Sequence, residues 1–177
     1  NLLAIAGNDA DHTISVYDWR RNHLATRAYG GSGHVISLAF SPDDKELLAV
    51  GQQTIRFYDI TTRAMTVKRP FIGDKGKLQF FLSCAYFADR ALVGTQQGDI
   101  YVFKDNELEK SMIAHGGPVN VMHVSKMGNV MVTGGGRGDG AVRTWNQKLD
   151  CVKEVTVRDI LQSALSPVVI KGCALAN

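Results

Sequence analysis

Cysteine is scarce in this sequence, and its copies are widely separated. Cys84, Cys151 and Cys173 form no C-x-x-C pair, so their spacing predicts neither a disulfide framework nor a zinc site. We expect three reduced, buried thiols. The sequence also lacks an N-x-S/T sequon and any apolar run long enough to span a membrane. These absences favour a protein of the cell interior without a membrane segment.

A large excess of one charge sign is also lacking, because the sequence has 20 Lys and Arg and 17 Asp and Glu, for a net charge of +3. That balance is too mild to indicate nucleic-acid binding. The hydrophobic share of 45% is large enough to bury a core, which excludes wholesale disorder. The chain begins on an apolar segment without Met, and we therefore expect it to be a piece of a longer protein.

No stretch shows a convincing 3.6-residue apolar period, so helices are not predicted. Instead, four apolar-alternating segments end in an aromatic residue and a short polar one: Ile14–Asp18, Ile55–Asp59, Ile100–Lys104 and Val142–Asn146. Their aromatic residues are separated by 41, 45 and 42 positions. Each segment follows a strand of small residues after a tight turn, and two further β-rich stretches complete each period. Four short strands in about 42 residues predict an all-β fold built from propeller blades.

These repeats resemble the WD40 family. Gly33-His34 and Ala114-His115 lie where that family places its Gly-His pair. The resemblance implies a WD40-type β-propeller in which a His, a Ser or Thr, an Asp and a Trp of one blade form a structural hydrogen-bonded set. One unit can supply all four members of this structural tetrad: His115, Thr133, Asp139 and Trp145. The unit around Tyr58 has only His34, and the unit around Phe103 has no His.

The period divides the chain into about four blades of four antiparallel strands each. The expected units are the last strands of a blade at 1–30, whole blades at 31–72, 73–114 and 115–157, and the start of the next blade at 158–177. A closed ring of six to eight blades would need roughly 250 to 340 residues. We therefore expect a partial ring that folds poorly without the rest of the propeller in the parent chain.

A closer resemblance covers the stretch from about residue 68 to 165. Its motifs, in order, are Gly76-Lys77-Leu78, Ser83–Tyr86, Gly98–Lys104, Ala114–Val119, Val132–Gly135 and Ser163–Ser166. They are similar to the echinoderm microtubule-associated protein-like family. The resemblance implies a non-catalytic cytoskeletal module that binds tubulin or microtubules in the cytoplasm, and some relatives lie in the axoneme of cilia or flagella. A generic WD40 scaffold of a signalling, trafficking or RNA-processing complex is the alternative.

One segment has the charge to serve as a contact. Residues 67–77 contain Lys68, Arg69, Lys75 and Lys77 against a single acid, and they link two blades at one rim. Arg137, in a turn between middle strands, is expected at the same rim. Because tubulin has an acidic surface, these five cations are the candidate tubulin contact. A second basic group on the opposite rim, Arg20 and Arg21 beside His23, is a weaker candidate.

No pattern in the sequence indicates catalysis, a cofactor or a metal. Gly136-x-Gly138-x-x-Ala141 matches a loose dinucleotide fingerprint, but a strand follows it where that motif needs a helix. The acids are scattered over turns, and the five histidines lack ligand spacing. We therefore predict no enzymatic activity, no cofactor and no metal.

Overall fold

The computed structural model describes residues 1–157 and 168–176, and in them the fold is all β. The first sheet has three strands, β1 (Leu2–Ala6), β2 (Ile14–Asp18) and β3 (His23–Ala28). The second has four, β4 (Val35–Phe40), β5 (Glu46–Gly51), β6 (Thr54–Asp59) and β7 (Thr66–Lys68). The third has β8 (Phe81–Phe87), β9 (Arg90–Thr95), β10 (Asp99–Lys104) and β11 (Glu107–Ile113). The fourth has β12 (Val119–Val124), β13 (Met131–Gly135), β14 (Ala141–Trp145) and β15 (Cys151–Thr156).

Every sheet is an antiparallel meander, in which each strand pairs with the next one along the chain. The first strands of neighbouring sheets pack against each other, β4 with β8 and β8 with β12. This is the arrangement of consecutive β-propeller blades, so the predicted fold class is confirmed. We call the sheets blades one to four. The predicted unit 158–177 lies largely outside the described residues, as does the motif at 163–166.

Three apolar cores lie between successive blades. The core between blades two and three contains Leu48, Phe57, Phe81 and Phe103, whose rings at positions 57 and 103 meet edge to face at 5.9 Å. Along each middle strand, alternate side chains point to opposite faces of the blade, so one strand contributes to the cores on both sides. In β10, Tyr101 and Phe103 face blade two, whereas Ile100 and Val102 face blade four. Because both faces of a blade are buried, its middle strands are apolar at nearly every position.

The loops that enter a blade and the turns between its second and third strands lie at the same rim. The carbonyl of Gly98, in the turn between β9 and β10, accepts hydrogen bonds from the amides of Ala114 and His115, both at 2.9 Å. Gly98 has φ +101°, and a Cβ there would overlap the His115 carbonyl, so glycine is required at this junction. This rim, named the entry rim below, therefore brings together residues far apart in sequence.

The cysteine prediction is only partly correct. Among the described residues, the thiols are unpaired, and Cys84 is buried, where desolvation raises its pKa to about 12. Cys151 is exposed, contrary to the expectation, because it begins β15, the outermost strand of blade four. Across the described residues, no helix has the length and apolar character that a membrane crossing requires.

Candidate binding surface at the entry rim

Blade four brings the four residues of the structural tetrad together. The His115 ring lies between Thr133 and Asp139, with Nε2 at 2.7 Å from Thr133 Oγ1 and Nδ1 at 2.6 Å from Asp139 Oδ2. Trp145 Nε1 donates to the same threonine oxygen at 2.9 Å. Asp139 Oδ1 accepts from the Gly116 amide at 2.8 Å. The network thus ties the entering loop to β13 and β14 by side chains that are almost fully buried.

Arg143 is a further member that the sequence analysis missed. Its guanidinium Nη1 lies 3.0 Å from Asp139 Oδ1, and its Nε donates to Glu154 on β15 at 2.8 Å. Burial alone would raise the pKa of Asp139, but hydrogen bonds from His115, the Gly116 amide and Arg143 outweigh it and hold the pKa at about 2. Burial lowers the pKa of His115 despite the Asp139 carboxylate. The ring is therefore neutral at pH 7.

In blades two and three, the entering loop is bound by the residue that corresponds to Arg143, two positions before the aromatic that ends the third strand. In blade three the Tyr101 hydroxyl accepts from the Lys77 amide at 3.0 Å and donates to the Lys77 carbonyl at 3.2 Å. In blade two Arg56 Nη1 donates to the Tyr29 carbonyl at 3.4 Å. A signal for this role existed in the sequence, namely the long polar-tipped side chain that recurs in the same register.

The tetrad positions of blades two and three are occupied differently. Arg56, Tyr101 and Arg143 are called the anchor residues below. Thr133 pairs with Arg143 in blade four, whereas Ala49 and Val93, which have no hydroxyl, pair with Arg56 and Tyr101 in blades two and three. His34 is exposed, and its ring contacts the ring of His12 at 4.6 Å between centroids. In these two blades the loop is therefore held through backbone carbonyls and amides, without a buried charge.

The structure distributes the five candidate cations over three places. Arg69 and Lys77 line one groove of about 430 Å³ between blades two and three, and Arg137 lies beside Gly117 at the entry rim of blade four. Lys68 lies elsewhere, in polar cavities that it shares with Glu46 and Asp59. The short strand β7 causes this separation, because Lys68 is still paired with Phe57 in the sheet. Lys75 stands in a 3-10 helix, Gly73–Lys75, within the same entering loop.

All five of these side chains are exposed, and within the described part of the chain none forms an ion pair with an acid. The weaker candidate at the opposite rim differs, because Arg21 lies 3.6 Å from Asp18. The described residues hold no group of three His, Cys, Asp or Glu arranged to bind a metal. Arg69, Lys77 and Arg137 therefore present positive charge at the entry rim, where the loop of blade three also carries one exposed acid, Asp74.

Comparison with known proteins defines the class. The family model described as "WD domain, G-beta repeat" matches residues 25–59 and 106–146. A chain in the "Crystal Structure of Mitotic Checkpoint Complex" superposes with a TM-score of 0.65 at 15% identity, covering 82% of this chain and 45% of its own length. The matched repeats and the fold together show a WD40-type β-propeller architecture.

Sequence comparison finds similar proteins that are named as microtubule-associated or cilia-associated. Echinoderm microtubule-associated protein-like 2 of Rattus norvegicus is 28% identical over 163 residues, which cover 89% of this chain and 25% of that protein. The 77 kDa echinoderm microtubule-associated protein of Strongylocentrotus purpuratus is 28% identical over 149 residues, covering 81% of this chain and 21% of its own length. Cilia- and flagella-associated protein 44 of Mus musculus is 26% identical over 157 residues, covering 82% and 8%.

These relatives confirm the predicted resemblance to the echinoderm microtubule-associated protein-like family. The chain spans about a quarter of the length of the microtubule-associated relatives that it matches.

Proposed function

We propose that this part of the propeller is a non-catalytic module that binds tubulin or microtubules through its entry rim. The observation that carries the proposal is the group of exposed cations without acidic partners in the described residues, at Arg69, Lys75, Lys77 and Arg137. A rigid blade scaffold with exposed cationic side chains suits salt-sensitive docking on an acidic protein surface. Lys68 is left out of this contact because Glu46 and Asp59 share its cavities.

The names of the relatives support a cytoskeletal partner. Several are named as microtubule-associated, and one as cilia- and flagella-associated. We propose the cytoplasm and its microtubules as the location, with the axoneme of a cilium or flagellum as a special case. The rest of the propeller is the other expected partner, because the first strand of each described blade packs on its neighbour.

Buried reactive groups support a role without catalysis. The Cys84 thiol has a pKa raised to about 12 by burial, so it is no nucleophile at neutral pH. Both nitrogens of His115 are held by structural partners, Thr133 and Asp139. These two buried groups are therefore accounted for by their roles in the fold.

Microtubule co-sedimentation of the full-length protein that contains this chain tests the proposal. The variant carries Arg69→Glu, Lys77→Glu and Arg137→Glu, and the matched control carries Lys110→Glu, Lys126→Glu and Lys148→Glu at exposed positions away from the entry rim. We expect salt-sensitive pelleting that the rim variant weakens at least about tenfold, and a control that behaves as the unaltered protein.

Other outcomes are equally informative. Pelleting that survives the three rim substitutions would keep the microtubule function but overturn the proposed contact. A folded full-length protein that neither pellets nor binds unpolymerised tubulin would overturn the function itself. A generic WD40 scaffold for another complex would then be the better account.

A further inference from the structure

We infer that the groove between blades two and three is a docking site for an acidic peptide segment with an apolar side chain. It is lined at one side by Gln53, Thr54, Ile55 and Arg56 from blade two and at the other by residues of the entering loop of blade three, Arg69, Pro70, Ile72, Gly73, Gly76, Lys77 and Leu78. We call it the β6–β8 groove. The inference does not depend on microtubule binding, because any protein could supply such a segment.

The charges of the β6–β8 groove all have one sign. Arg56, Arg69 and Lys77 line it, and among the described residues no acid does. Arg56 is also held in place, since its guanidinium lies 5.6 Å from the ring centroid of Tyr29 and donates to the Tyr29 carbonyl. Three cations around a volume of about 430 Å³ favour a ligand with two or more carboxylates.

The floor of the groove is apolar. Ile55 is buried, Ile72 is half-buried, and Leu78 is 59% exposed, so the leucine side chain is accessible to a ligand in the groove. An apolar side chain of the ligand would cover Leu78 and Ile72, whereas phosphate-rich ligands such as nucleic acid offer no such group in a backbone contact. The combination therefore favours a peptide over a polyphosphate.

The groove is already formed without a ligand, because the loop that makes its wall is fixed at three points. The Phe71 carbonyl accepts from the Leu108 amide at 2.9 Å, and the Gln79 carbonyl accepts from the Gln53 amide at 3.1 Å. Between them, the Tyr101 hydroxyl holds both backbone groups of Lys77. A preformed wall lowers the ordering cost of binding, so modest contacts can give measurable affinity.

Fluorescence anisotropy with the full-length protein tests the inference. The probe is a short labelled peptide in which glutamates flank a single leucine, and two comparison probes replace the leucine by glycine or all glutamates by glutamines. We expect the leucine–glutamate peptide to bind at least about fivefold more tightly than either comparison probe. Arg69→Glu with Lys77→Glu should abolish most of this binding, and Leu78→Ser should weaken it about threefold to tenfold.

Lys126→Glu with Lys148→Glu is the matched control, because both lysines are exposed on the turns of blade four opposite the entry rim. Equal binding of the leucine and glycine probes would overturn the apolar part of the inference. So would a single-stranded oligonucleotide that competes as well as the peptide and is indifferent to Leu78→Ser. Peptide binding by a protein that neither pellets with microtubules nor binds unpolymerised tubulin would uphold the groove and reject the proposed function, so the two failures are distinguishable.

Discussion

The entering loops of blades three and four are held in opposite ways. Blade four closes a short loop around His115 with a buried network of charged and neutral groups that ends on Arg143 and Glu154. Blade three holds a longer, basic loop through backbone hydrogen bonds at its two ends and, between them, the neutral hydroxyl of Tyr101. Both anchors occupy the same position in the strand, two residues before the aromatic.

This difference separates a structural loop from one that is free to bind. In blade four, Asp139 accepts hydrogen bonds from His115, Arg143 and the Gly116 amide, so these charged groups are held within the network, and Arg137 stays outside it. In blade three, the Tyr101 hydroxyl contacts only the backbone groups of Lys77, so the ammonium of Lys77 stays exposed. A neutral anchor therefore fixes the shape of the loop while leaving its cations available to a partner.

Removing Asp139 is the largest perturbation of this comparison. Asp139→Ala leaves Arg143 and the His115 Nδ1 without their buried acceptor, so we expect a loss of about 2–4 kcal/mol in the local free energy of opening of blade four. Hydrogen exchange of the full-length protein, followed by mass spectrometry, would show lost protection in peptides that cover residues 114–118 and 139–145.

Asp99→Ala is the matched control in blade three, because the Asp99 carboxylate makes no hydrogen bond or ion pair among the described residues that would be lost. We expect that variant to change protection by less than about 0.5 kcal/mol. Equal losses in the two variants would show that the network of blade four contributes no more than an ordinary surface carboxylate.

Removing the Tyr101 hydroxyl is a smaller perturbation. Tyr101→Phe keeps the ring in the core between blades two and three but deprives the Lys77 amide and Gln79 of their partner. We expect a local loss of about 1–2 kcal/mol, confined to the loop of residues 69–80. Hydrogen exchange of that loop measures it, and blade four serves as the internal reference.

Tyr58→Phe is the control for ring chemistry, since it removes a hydroxyl that donates to the Tyr29 carbonyl at 3.0 Å in the next loop. It should loosen residues 29–34 and leave the loop of residues 69–80 unchanged. If Tyr101→Phe left that loop fully protected, the wall of the β6–β8 groove would not depend on the hydroxyl.

The fold was within reach of the sequence because it repeats: a period near 42 residues and an aromatic at the end of each third strand predict blades. The tetrad occurs in one unit only, and the resemblance to the WD40 family implied the network of His115, Thr133, Asp139 and Trp145. The sequence analysis missed the roles of Arg143 and Tyr101, because the anchor position holds a charged residue in one repeat and a neutral one in another, so no single residue type marks it. The sequence signal for their common role is weaker than a motif: a long polar-tipped side chain two residues before the aromatic in blades two to four.

The surface was less predictable than the core. Residues 67–77 read as one basic stretch, but the sheet pairing of Lys68 turns it toward Glu46 and Asp59, away from Arg69 and Lys77. Arg56, 13 residues before Arg69 in the sequence, completes the groove instead. A count of charges along the sequence does not show this grouping. The sheet brings Arg56 close to Arg69, and it places Lys68 apart from its neighbour in sequence.

The smallest expected effect is a dependence of blade four on pH that blade three lacks. Burial lowers the pKa of His115 below its ordinary 6.5, so the unfolded state binds a proton first as the pH falls below that value. The stability of blade four should therefore be complete above pH 7 and decrease on acidification, with a further loss below pH 4 as Asp139, with a pKa of about 2, nears protonation. Hydrogen exchange corrected for intrinsic rates, measured between pH 7.5 and 5, should show this slope in residues 114–118. His115→Asn should flatten it, whereas an unchanged slope in that variant would assign the pH dependence to other groups.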